Sequence, residues 1–266
     1  MNKKMHEFGV PNMKITFLGT GTSQGVPVIG CECDVCKSVD DRNSRLRTSI
    51  LVQIGEKSIV VDTGPDFRQQ MLREGVKELE AIVFTHEHKD HLAGLDDIRA
   101  YNYLHKRPMD IYANKDVETA IRRDFHYSFD ESIKGGVPQI NIINIHRESF
   151  ELGAEVWTPL PVMHADLEVL GFRIGDFAYV TDVNFISEAT YDKIKGVKIL
   201  VISALRRFDH PSHYSLPEVL DVIKKISPDA AYLTHMSHLI GLHEELEEEL
   251  PNGVYPAFDG LKIESE

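Results

Sequence analysis

Three things are scarce in this chain of 266 residues, and each scarcity excludes a class of protein. Long apolar runs are missing. Although 42% of residues are hydrophobic, no run approaches the roughly 18–20 residues needed to span a bilayer. No membrane association is expected. The opening stretch MNKKMHEFGVPNMK carries lysines without an apolar core, so it does not read as a secretory signal, and a cytoplasmic location is expected by default. Positive charge is also in deficit. Lysine and arginine total 29 against 42 acidic residues, a formal net charge of −13, which makes nucleic acid an unexpected partner. Bound cations would reverse that sign locally. Cysteine is the third scarcity, with only three, all within Cys31-Glu32-Cys33-Asp34-Val35-Cys36. An odd number so closely spaced makes a poor disulfide framework. It makes a good start to a thiolate metal site that needs one more ligand.

Neither an internal repeat nor a low-complexity linker interrupts the sequence, so a single domain over 1–266 is expected. Strands are predicted at KITFLG, SILVQIG and SIVVDTG, at 80–84, 140–145, 155–161, 168–174 and 177–181, and in VKILVIS and AAYLTH. Helices are predicted over 67–74, LPEVLDVIKKI and 242–250, the last with a solvated acidic face. Residues 92–135 read as a mainly helical insertion with one short strand at 110–113. Within it, Tyr101-Asn102-Tyr103 suits either the core or a homodimer contact. Strands in both halves, with helices between and after them, predict an α+β layered domain in which helices enclose two sheets.

Against these absences stands one crowded stretch, Thr85-His86-Glu87-His88-Lys89-Asp90-His91. It follows a predicted buried strand, so its side chains sit at a strand's carboxyl end, where ligand sites form. Histidines two apart around a tight turn can direct two imidazoles at one ion, and Asp90 with His91 can face a second. Imidazole and carboxylate suit zinc, manganese or iron. The glycines of TGTSQG, Gly19, Gly21 and Gly25, are spaced GxGxxxG with no helical pattern after them. They therefore shape a tight turn near the metal site and do not form a dinucleotide fingerprint.

The chain resembles the metallo-beta-lactamase fold superfamily of metallohydrolases. The likeness rests on Asp62 in VVDTG, the HxHxDH group, His164 in PVMHAD, Asp182 in VTDV and His235 in LTHMSH. It implies an αββα sandwich with a binuclear centre between the sheets. His86, His88 and His164 would hold one divalent metal, and Asp90, His91 and His235 the other. Asp182 would bridge them, and Asp62 would support the histidine turn without touching metal. Aspartate at position 182, where antibiotic-hydrolysing members often carry cysteine, argues against lactam hydrolysis. A narrower resemblance lies in LGTGTSQGVPVIGCECDVC, LTHMSH and AFDGL. These look like the cyclic phosphodiesterase group of bacterial phosphonate degradation. That likeness implies a structural zinc on Cys31, Cys33, Cys36 and His238, a complete tetrahedral shell. The cysteine loop would then anchor the segment that carries His235, so loss of Cys33 is expected to lower occupancy at both metal sites.

The same resemblance places His213, in HPSHYSLPEVL, near the scissile phosphate on an exposed site lip, with His210 as its competitor. Arg206 and Arg207 are candidate phosphate contacts or solvated cations. The expected enzyme is a binuclear hydrolase of a small phosphodiester, cyclic esters included. Hydroxide shared by the two metals would attack phosphorus, Asp90 would take part as ligand and catalytic carboxylate, and His213 would stabilise or protonate the leaving side. The competing readings are a thioester hydrolase of the glyoxalase II type, a nuclease of the transfer-RNA 3′-processing type, and a non-catalytic metal or ligand carrier in cofactor biosynthesis.

Overall fold

Residues 13–133 and 135–265 are described by a computed structural model; positions 1–12 of the stretch read for a secretory signal lie outside them. The first half supplies β1 (Met13–Gly19), β2 (Ser49–Ile54), β3 (Lys57–Val61), β4 (Ala81–Val83), β5 (Met109–Ala113) and β6 (Ile140–Asn144). The second supplies β7 (Phe150–Leu152), β8 (Glu155–His164), β9 (Leu167–Ile174), β10 (Phe177–Val180), β11 (Phe185–Ile186), β12 (Ile199–Ser203), β13 (Ala230–Thr234) and β14 (Val254–Pro256). The last strand, β15 (Lys262–Ser265), returns to the first sheet, whose order is β15-β1-β2-β3-β4-β5-β6. The second sheet runs β11-β8-β9-β10-β12-β13-β14, with β7 on β8. Each sheet changes from antiparallel to parallel pairing. Strands β3 to β6 run parallel, as do β10, β12, β13 and β14.

Side-chain alternation along these strands sorts the apolar residues into three layers. On β1, Phe17 enters the core between the sheets, with Trp157, Phe172 and Tyr179, while its neighbour Leu18 faces outward. Helices α1 (Phe67–Glu74), α2 (Lys89–Leu92), α3 (Arg99–His105) and α4 (Lys115–Asp124) cover that outer face through Phe67, Leu92, Tyr101 and Ile121. Helices α5 (Glu188–Ile194), α6 (Leu216–Ile226) and α7 (His243–Glu249) cover the outer face of the second sheet through Ile194, Val219 and Leu246. The architecture is an αββα sandwich. Truncating a fully buried ring such as Phe17 or Trp157 costs about 3–5 kcal/mol in cores of this kind.

The segment 92–135 is woven into the first sheet, since β5 is bonded between β4 and β6. Met109, Ile111 and Ala113 of β5 are buried, so that strand belongs to the core and does not stand apart as an insertion. Tyr101 serves the core and donates its hydroxyl to Val76 O at 2.8 Å, whereas Tyr103 is 73% exposed. Strands β7, β11, β14 and β15 and helix α5 had no counterpart among the predicted elements. All are short, and a two- to four-residue strand carries too little alternation to read. Among the described residues no helix is long and apolar enough to cross a membrane.

Candidate metal centre

The site is built where strands end. His86 lies three residues beyond β4, His88 precedes α2, and Asp90 and His91 lie within it. His164 closes β8, Asp182 lies just past β10, and His235 directly follows β13. Asp62 directly follows β3, and there the chain turns sharply. Asp62, Ala165, Asp182 and His235 all adopt left-handed backbone, with φ of 66°, 52°, 51° and 54°. Such conformations cost non-glycine residues about 1–3 kcal/mol each and concentrate at functional sites, where surrounding structure holds them.

Three of the imidazoles, those of His86, His91 and His164, are held by a partner on their other nitrogen, whereas neither nitrogen of His235 has a hydrogen-bond partner. His91 Nδ1 donates to Asp62 Oδ2 at 2.8 Å, leaving Nε2 at 3.2 Å from Asp182 Oδ2 and 3.3 Å from Asp90 Oδ2. His86 Nδ1 lies 2.9 Å from Thr85 Oγ1, which in turn donates to Asp62 Oδ2 at 2.8 Å. His164 Nδ1 donates to Ser212 O at 2.6 Å. His235 Nε2 stands 3.2 Å from Asp182 Oδ1 and 3.6 Å from Asp90 Oδ2. The Nε2 atoms of His86, His91 and His235 are buried and have no hydrogen-bond partner. Leaving such groups unpaired costs about 1–3 kcal/mol each. A cation that accepts their lone pairs removes that cost, so these residues fit a metal.

The donor atoms of Asp90, His91, Asp182 and His235 all lie within 4.8 Å of one another. His86 and His88 join through ring contacts. Their centroids are 4.6 Å apart, and those of His88 and His164 are 5.2 Å apart. Burial opposes charge throughout, yet the carboxylates of Asp182, Asp90 and Asp62 outweigh it at His91 and hold that imidazole well above its usual pKa. At Asp90 burial is likewise outweighed, chiefly by His91, and the carboxyl is held well below its usual range. His86 has burial and the neighbouring His91 acting together, and its pKa falls well below the ordinary value.

Two further contributors carry no chemical signal of their own in the sequence. Thr85, inside the histidine stretch, bonds both Asp62 and His86. Gly64, the last letter of VVDTG, lets the turn after Asp62 lie against the histidine turn: a Cβ there would meet Asp90 O at 2.1 Å. Thr63 N donates to His91 O at 2.7 Å across the same contact. The glycine-rich turn does approach the centre. Thr22 N donates to Met236 O at 3.2 Å and Met236 N to Thr20 O at 2.8 Å, one residue from His235.

His213 is buried, not exposed on a lip as expected. Its ring packs 4.4 Å from His164 and 4.9 Å from His235, and its Nδ1 lies 3.9 Å from Asp182 Oδ1. Burial, with help from His235, pushes its pKa down to about 3. His210 instead braces the loop, with Nδ1 3.3 Å from Ser212 N and 3.2 Å from its hydroxyl. Both arginines have partners of their own: Arg206 stacks over Phe208 at 4.2 Å, and Arg207 bonds Ile240 O at 2.7 Å and Glu249 at 2.6 Å.

The second cluster lies beyond His235. The donor atoms of Cys31, Cys33, Cys36 and His238 fall within 4.8 Å of one another, and His238 Nδ1 is 3.3 Å from the Sγ of both Cys31 and Cys33. Ligands bound at about 2.0–2.3 Å to one tetrahedral zinc lie roughly 3.5–3.8 Å apart, so this shell closes with small shifts. The backbone N–H of Cys36, then His238, lowers the Cys33 thiol to about 6, while burial raises Cys36 to about 11.

Comparison with known proteins agrees with this geometry. Residues 57–236 match the model of the beta-lactamase superfamily domain. A diphosphatase of the PhnP family shares 40% identity and superposes with a TM-score of 0.90, over 96% of this chain and 97% of that one. Zinc-bound PqqB from Methylobacterium extorquens, at 19% identity, shares the fold with a TM-score of 0.75 over 94% and 99% of the two chains. A Porphyromonas gingivalis protein named octanoyltransferase is 38% identical over 253 residues, 94% of this chain but 51% of its own length. This chain thus spans about half of that relative. Family match and sandwich together place the chain in the metallo-beta-lactamase superfamily, as a PhnP-like protein.

Proposed function

We propose that this chain is a binuclear metal-dependent hydrolase of a small phosphodiester, cyclic esters and diphosphate diesters included. The observation that carries the reading is the convergence of buried, unpartnered imidazole nitrogens on Asp90 and Asp182 with His213 beside them. The phosphoryl class is supported by the likeness to the PhnP-family diphosphatase along almost the full length of both chains. Divalent metals, held by His86, His88 and His164 on one side and Asp90, His91 and His235 on the other with Asp182 between, would supply a nucleophilic hydroxide at neutral pH and polarise the phosphoryl oxygens. Zinc and manganese both suit the donor set, and so does iron. Asp62, Thr85 and the Ser212 carbonyl fix the rings in place before substrate arrives. His213, kept neutral by burial, would donate a hydrogen bond to charge growing on a phosphoryl or departing oxygen. Cys31, Cys33, Cys36 and His238 would hold a structural zinc with no open position.

A second reading, an acyl-thioester hydrolase, draws support from the octanoyltransferase relative, although half of that protein lies outside the match. Turnover by zinc- or manganese-loaded protein separates the two. The substrates are a ribose cyclic phosphate, bis(p-nitrophenyl) phosphate, a nucleoside diphosphate ester and an octanoyl thioester. Cleavage of the phosphorus substrates, abolished in His88→Ala, is the expected result. Thioester cleavage with the phosphorus substrates untouched would replace the first reading by the second.

A further inference from the structure

Two loops close over the metal hollow, and one side chain with no part in the proposed chemistry joins them. Asn184 lies two residues past Asp182, and its own N–H donates to Met163 O at 2.8 Å, which roots it on β8. Its Oδ1 accepts from Ala165 N at 2.9 Å, in the turn just after His164. Its Nδ2 donates to Pro211 O at 3.0 Å, in the loop that carries His213. One partner is an N–H and the other a carbonyl, so only one orientation of the amide satisfies both. Ala165 is itself held in left-handed backbone, φ 52°, at the point where Asn184 grips it.

The tie is reinforced on both sides. Next to each gripped position, one residue before Ala165 and one after Pro211, the same two loops meet again where His164 Nδ1 donates to Ser212 O at 2.6 Å. Downstream, Tyr214 N donates to Val183 O at 2.8 Å, and Ser215 begins α6 with a capping box to Glu218. His213 is therefore suspended between Pro211–Ser212 and Tyr214, and the 182–184 segment holds both ends. We propose that Asn184 is a positioning residue that sets His213 against the metal hollow by splinting its loop to the turn after His164. Aspartate would keep the bond from Ala165 but offer Pro211 O no proton, and alanine would keep neither.

This inference rests on the hydrolase reading, and its test has one arm that does not. Asn184→Ala, Asn184→Asp, His213→Ala and the Asn184→Ala/His213→Ala pair are compared in the metal-loaded protein. The readouts are kcat and KM on bis(p-nitrophenyl) phosphate, metal content, and amide hydrogen exchange. For both Asn184 variants the expected kcat is about tenfold lower with KM and metal content unchanged, within the roughly 100-fold that a 1 Å misplacement costs. The pair should be no slower than His213→Ala alone, because Asn184 acts through that ring. Exchange across 210–214 should rise. A further tenfold loss in the pair, loss of metal in Asn184→Ala, or unchanged exchange would overturn the splint. Wild-type protein inert on every phosphorus substrate would overturn the hydrolase reading instead, and the exchange result would then decide the splint.

Discussion

The two ligand clusters of this chain lie three residues apart at His235 and His238, yet they are built on opposite principles. In the histidine-rich hollow, His86, His91, Asp182 and His235 are at most 2% exposed, and His86, His91 and His164 are each fixed through the second ring nitrogen. In the cysteine cluster, Cys33 is exposed, Cys31 and Cys36 are half-buried, and the sulfurs have few partners beyond one another, His238 and two backbone amides. The first cluster is organised by the protein before any ion arrives. The second would gain most of its order from the ion. A catalytic centre needs the former arrangement, because ligands that must shift during turnover forfeit preorganisation, whereas a structural clip tolerates the latter.

The sharpest way to break this contrast is to remove the carboxylate shared by both halves of the hollow. Asp182→Ala should lose metal from the binuclear centre and take turnover to background, while the cysteine site keeps one zinc per chain. Metal analysis and a phosphodiester assay read both. Asp62→Asn comes next. Asparagine has one acceptor oxygen, so it cannot accept from the Thr85 N–H on one side and from the Thr85 hydroxyl and His91 ring on the other as the two carboxylate oxygens do, and the expected loss is about 10- to 100-fold in metal affinity or activity. A competition titration with a chelator measures it. An unchanged affinity would mean that the hollow is not preorganised through Asp62.

Cys33→Ser tests the other side. It should remove the zinc and lower Tm by several degrees, each kcal/mol being worth about 2–4 °C in a domain of this size. Its effect on the hollow should be less than about twofold, well below the coupling expected from sequence. The residues between His235 and His238 are pinned without the zinc: Met236 N donates to Thr20 O at 2.8 Å, and Ser237 N and Oγ to Leu205 O at 2.9 and 2.8 Å. Metal content of the variant decides whether the two clusters are separable. The smallest expected effect concerns the root of the cysteine loop. His243 Nδ1 lies 3.2 Å from Arg45 Nη2, and burial, then Arg45, depresses its pKa from 6.5 to about 4. Unfolded chains bind more protons across that interval, so stability should fall as pH drops from about 6.5 towards 4 and be unaffected above it. Thermal melts of His243→Gln should show a shallower slope over that interval than the parent chain.

The sequence made the hollow legible because its ligands sit at strand ends in short, unusual clusters, and strand ends are what periodicity locates best. HxHxDH, His164, Asp182 and His235 all converge. The sandwich was legible for the same reason. Tertiary contacts hid the remainder. Nothing local to Asn184 or Thr85 distinguishes a bridging amide or hydroxyl from a solvated one, and the burial of His213 follows from a loop folding back onto His164 and His235. Strand β5 was found but misplaced in role, since pairing between β4 and β6 is a long-range fact that its own residues do not encode.

The left-handed turns at Asp62, Asp182 and His235 have a consequence for how the protein comes into being. The groups they aim at the hollow emerge during synthesis far apart, the first at position 62 and the last at position 235, and the two sheets must stack before their donors meet. A nascent chain stopped short of His235 therefore has no complete cage to offer. Loading of the hollow thus waits for both sheets of this domain, while Cys31, Cys33 and Cys36 leave the ribosome early and wait unclosed for His238.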